Sequence, residues 1–132
     1  MSIFVYAITT PANTSYADRI KTDIDLTQGV IHQVDIVFPP GPQGLCHLTI
    51  NQALHQRWPS NPDQTFHNDS TTISFKEHLP ILFEPFKLQA FSYNLDETYE
   101  HEIIVRIGIL PVHVLAPWLL PFDERIKAAM GV

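Results

Sequence analysis

The sequence predicts an all-β protein: a single antiparallel β-sandwich domain over residues 1–111, with a jelly roll the favoured topology and an apolar, proline-rich arm over residues 112–132. Three observations lead there. Apolar residues recur along most of the chain with a period of two rather than 3.6. The segments that show this number about seven or eight, at spacings of roughly 10 to 15 residues. The connections between them are rich in Pro, Gly, Asn and Asp, and hardly any stretch has a helical pattern. A chain of 132 residues fits one domain with one core. Two four-stranded sheets with Greek-key connections suit that strand count; an immunoglobulin-like sandwich is the alternative.

Each strand has its own signature. After the apolar opening "IFVYAI", the segment "RIKTDIDL" sets Ile20, Thr22, Ile24 and Leu26 against Arg19, Lys21, Asp23 and Asp25, one face for a core and one for water. Gln28 and Gly29 break it. In "VIHQVDIVF", Val30, Val34, Ile36 and Phe38 share a face, His32 falls in the same apolar register as a core histidine, and "PPGPQG" ends the strand. "LCHLTINQAL" points Cys46, Leu48 and Ile50 inward and His47, Thr49 and Asn51 outward. "TTISFKEH" pairs Ile73 with Phe75, and "FKLQAFSY" puts Phe86, Leu88 and Ala90 opposite Phe91 and Tyr93. "HEIIVRIGIL" aligns Ile103, Val105, Ile107 and Ile109, with His101 on the exterior face. The acidic stretch "LDETYEHE" before it reads as a hairpin loop, not as a pair of catalytic carboxylates.

The C-terminal segment departs from the pattern. "ILPVHVLAPWLLPF" carries no Asp, Glu, Lys or Arg and has prolines at 111, 117 and 121, which forbid a regular helix or a central strand. An apolar arm of this kind lies over a surface, its own domain's or a neighbour's. Leu115, Trp118, Leu119, Leu120 and Phe122 are its candidate contact residues.

Composition removes several classes of function. A net charge of −6 and eight Lys and Arg residues give no basic footprint for nucleic acid or anionic lipid. No apolar run reaches the about 18 residues of a membrane-spanning helix. The lone Cys46 cannot form an internal disulfide, and the opening lacks the pattern of a signal peptide, so the chain is expected to be intracellular at least where it is made, in a host cytoplasm.

Reactive chemistry finds little support. His55, His67, Asp69 and His78 are metal donors in one region, but no spacing converges them on a helix or a strand face, so no metal or other cofactor is expected. Cys46 points inward, the serines at 60, 70, 74 and 92 lack a nucleophile-elbow context, and five scattered glycines make no phosphate-binding loop. The stretch "HQRWPSNPDQTFHND" reads as a stiff, shaped loop. Its Trp58 and Phe66 are candidate contact residues, pinned to the core, set against a neighbour, or offered to a ligand. With Tyr93, Tyr99 and Trp118, these rings make a carbohydrate-binding module the alternative function.

The run "GVIHQVDIVFPPGPQGLCHLTINQALHQRWPSNPD", followed by "VRIGILP", resembles the small jelly-roll accessory proteins of tailed-phage particles, of the capsid decoration, cement or knob type. The resemblance covers roughly residues 20–111. It implies a non-enzymatic, virion-associated protein that forms a symmetric homo-oligomer, a trimer first, and binds other virion proteins. It carries over no catalytic residue and does not extend to the arm.

Overall fold

A computed structural model of the protein describes residues 1–111. The arm, and with it the contacts expected of Leu115, Trp118, Leu119, Leu120 and Phe122, lies outside the described residues.

Nine strands follow one another: β1 (Ser2–Thr10), β2 (Ile20–Asp25), β3 (Gly29–Phe38), β4 (Cys46–Gln52), β5 (His55–Trp58), β6 (Phe66–His67), β7 (Thr71–Ile81), β8 (Lys87–Asn94) and β9 (His101–Leu110). They form the two antiparallel sheets of a β-sandwich, ordered β1-β9-β3-β7 and β2-β8-β4-β5, with β6 also on β4. The pairings nest: β1 with β9, β2 with β8, β3 with β7, and β4 with β5 and β6. The ladders β3–β9 and β4–β8 then join these pairs into sheets.

Period-two alternation does the packing. Ile103, Val105, Ile107 and Ile109 of β9 and Val34, Ile36 and Phe38 of β3 face Leu48 and Ile50 of β4 and Leu88 and Ala90 of β8, all buried in one cluster. Burying each such aliphatic side chain is worth about 1.5–3 kcal/mol. One end of the sandwich is closed by a buried polar clasp. The Thr10 hydroxyl donates to Ser92 Oγ at 2.8 Å, linking the two sheets. Asn94 Nδ2 donates to the carbonyls of Thr10 (3.4 Å) and Tyr99 (2.9 Å), and Asn94 Oδ1 accepts from the Asp96 N–H at 3.0 Å.

Four expectations need correction. First, the β3–β9 register steps from Ile31–Ile109 to Gln33–Gly108, so His32 is an extra residue. A bulge of this kind reverses the inside–outside sense of the strand. Ile31 therefore joins Val34 and Ile36 in the core cluster, Val30 is fully buried beside it, and His32 sits half-buried at the bulge instead of in the core. Second, His101 is turned inward on the same side as Ile103, its side chain only 10% exposed, with Nε2 2.7 Å from Asp96 Oδ2. Third, "LDETYEHE" is no hairpin: it carries the chain from β8 in one sheet to β9 in the other. Fourth, the stretch read as a long loop contains β5 and β6.

Gly29 shows how tightly β3 meets the end of β9. A Cβ at this position would lie 2.8 Å from the Leu110 carbonyl oxygen and also strike Ile109 Cγ2. Because a backbone atom cannot yield as a flexible side chain can, Gly29→Ala is expected to cost about 1–3 kcal/mol in urea unfolding, and an unchanged midpoint would contradict this packing.

Candidate functional site

A sandwich has four sheet edges, and an open edge invites pairing with another chain unless it is blunted. Three of the four are blunted. β2 carries Lys21, Asp23 and Asp25; β7 carries Lys76, Glu77 and Pro80; β5 is four residues long. β1 is different: "SIFVYAITT" is nine residues long, with no charge and no proline, and among the described residues it pairs only with β9.

The outer face beside this edge is apolar. Met1, Ile3 and Val5 are 63, 60 and 58% exposed, unusual values for large aliphatic side chains standing side by side. Gly108 lies opposite Ile3 in the ladder, and Met1 Sδ sits over it, 3.0 Å from where a Cβ would be. Further in, the face turns polar. Asp35 is hydrogen-bonded by Ser74 and, at 3.2 Å, by Gln33, and Arg106 stands 3.6 Å away; the Ser74 hydroxyl is the main cause of an Asp35 carboxyl held below its ordinary range. The apolar strip is thus confined to the β1 corner.

The stretch from His55 to Asp69 is held from within. Gln56 Nε2 donates to the carbonyls of Pro59 (2.8 Å), Asn61 (3.2 Å) and Gln64 (3.3 Å). Asp69 Oδ1 accepts from the backbone N–H groups of Gly41 (2.8 Å) and Gln43 (3.1 Å), tying this segment to the turn after β3. Trp58 is 5% exposed, packs edge-on against Phe75, and donates its indole N–H to Glu77 Oε2 at 2.8 Å. Phe66 is half-buried against the same core. Trp58 is thus a core side chain with its indole N–H committed to Glu77. Tyr99 is exposed.

The other candidate donors are dispersed. His55 and His78 line one shallow groove beside Glu77, whereas Asp69 is committed to backbone N–H groups elsewhere. Among the described residues no group of three or more His, Cys, Asp or Glu is placed to hold a metal ion. Cys46 is buried, and burial pushes its thiol up to about 11, so it is not a nucleophile at neutral pH.

Sequence reasoning missed a ring stack on the outer face of the second sheet. His47 lies parallel to Tyr93 (4.5 Å between centroids, 5° between planes), 4.6 Å from the His67 ring, and 2.6 Å from Thr65 Oγ1. Desolvation first, and the neighbouring His67 second, hold the His47 pKa below the ordinary 6.5. The register His47–His67 depends on β6, which the sequence does not reveal.

No family model matches the sequence, and neither does any curated protein.

Trp58→Ala removes a core side chain and is expected to lower stability by about 3–5 kcal/mol in denaturant unfolding; a loss under about 1 kcal/mol would mean the ring is not a core pin. For His47, a lowered pKa means the unfolded chain binds the proton more readily than the folded one. Its effect on stability is absent well above pH 6.5 and appears as a loss as the pH falls through 6.5 toward the folded value. Urea midpoints should therefore fall on acidification below about pH 7, and less so in His47→Gln; identical pH dependence in the two proteins would refute the assignment.

Proposed function

We propose that this protein is a non-enzymatic structural protein that assembles with copies of itself through the β1 corner, in the manner of a capsid decoration or cement protein on a virion. The observation that carries this reading is that, among the described residues, the β1 edge is unpaired on one side with Met1, Ile3 and Val5 exposed beside it, when the other three edges are blunted. β9 ends at Leu110 with Ile109 opposite Ser2, at this same corner. A second copy suits the surface because a strand with no charges pairs well with its own kind, and closed symmetry buries such edges. A trimer is the first expectation, and other virion proteins are the further partners. The nested strand pairing supports reading the sandwich as a jelly roll, the topology of the phage accessory proteins that the sequence resembles.

Sedimentation velocity on the full chain tests the proposal. The wild-type protein is expected to run as a closed oligomer, and Val5→Lys as a smaller species. Burying one such aliphatic side chain is worth about 1.5–3 kcal/mol, or roughly a ten- to hundredfold change in association. A wild-type protein that stays monomeric at tens of micromolar, or a Val5→Lys variant that assembles unchanged, would overturn it.

A further inference from the structure

The outer face of the β2-β8-β4-β5 sheet carries a cleft of about 300 Å³, on the opposite side of the sandwich from β1's sheet. We propose that it binds a neutral pyranose sugar, free or as a unit of a polysaccharide. This site is independent of the assembly reading and does not use Trp58.

The cleft combines two kinds of surface. Phe91 supplies an apolar floor, and Tyr16 an apolar wall set edge-on to Tyr93 (5.6 Å, 85°). The remaining lining is rich in planar polar groups: Arg19, Asn51, Asp63 and Gln64. A pyranose has the same duality, apolar on its C–H face and ringed by hydroxyls, and a planar amide, carboxylate or guanidinium spans two neighbouring hydroxyls at once.

Among the described residues, Arg19 is held by aromatic rings and a carbonyl and not by a carboxylate. Its guanidinium lies 4.4 Å over the Tyr16 ring and 5.3 Å from the Phe91 ring, and Nη1 donates to the Tyr16 carbonyl at 3.1 Å. Three constraints on one flexible side chain lower the entropy cost of using its remaining N–H groups.

The acceptor side is incomplete. Asn51 Oδ1, in the cleft lining, is buried and has no hydrogen-bond partner. A buried acceptor left without a donor costs free energy, and the Asn51 amide is the group of this kind that lines the cleft. One cation, Arg19, and one anion, Asp63, line the cleft, which favours an uncharged ligand over an acidic one.

Saturation-transfer NMR on the full chain is the test, with the methyl pyranosides of glucose, galactose and mannose as probes and glucuronate as the acidic comparator. At least one neutral pyranoside should receive saturation. Arg19→Ala should weaken its binding about tenfold or more, the loss expected for a hydrogen bond from a charged donor. Gln64→Ala should also weaken it, and Val5→Lys, on the other sheet, should leave it unchanged. Amide correlation spectra check that each variant is folded. Saturation of none of the neutral sugars, saturation of glucuronate alone, or binding indifferent to both cleft variants would overturn the proposal.

Discussion

The gap between the two sheets can be filled only by side chains that point into it, and in a strand those are every second residue. Any shift of one position exchanges the buried set for the exposed set. β9 depends on this most, because it pairs with β1 on one side and β3 on the other while presenting Ile103, Val105, Ile107 and Ile109 to the opposite sheet. The bulge at His32 is placed where it does least harm. It comes after Ile31, near the start of β3, so the strand changes parity once and still delivers Val34, Ile36 and Phe38 to the core. Polar side chains enter the interior chiefly at the clasp of Thr10, Ser92 and Asn94, where their hydrogen bonds replace those to water and tie the ends of β1 and β8 to the 96–99 connection.

The two outer faces are under no such constraint, and they differ in character. The face of β1's sheet grades from aliphatic at Met1, Ile3 and Val5 to ionic at Asp35 and Arg106. The face of the second sheet is aromatic and amide-rich, with His47 stacked on Tyr93 and Arg19 set over Tyr16 and Phe91. One face is aliphatic at its corner, and the other is lined by rings and hydrogen-bonding groups.

Much of this was legible in the sequence because alternation is a local signal. The inward sets of β4, β8 and β9 follow from period two alone, and so does the β-sandwich class. What escaped depends on partners distant in sequence. The β4–β5 turn at Ala53 and Leu54 has no Gly, Asn or Pro to announce it, although Ala53 adopts a positive φ of 52°. Local pattern therefore does not mark the strand after it, and in sequence Trp58 looks like a loop aromatic. A second bulge, between Ile50–Trp58 and Asn51–Gln56, sets Trp58 across from Ile50 and turns it into the core. The His32 bulge is equally silent in the sequence, since it exists only relative to β9. The cleft around Arg19 is assembled from residues between positions 16 and 93, none of which forms a motif by itself.

Cys46 illustrates a consequence of such complete burial. It lies at the start of β4 with no exposed surface, and desolvation keeps its thiol protonated. A thiol reagent reaches it only when the sheets part, so the rate of its labelling would time the opening of the sandwich. The protein thus carries a built-in clock for its own breathing motions, with no second cysteine to confuse the reading.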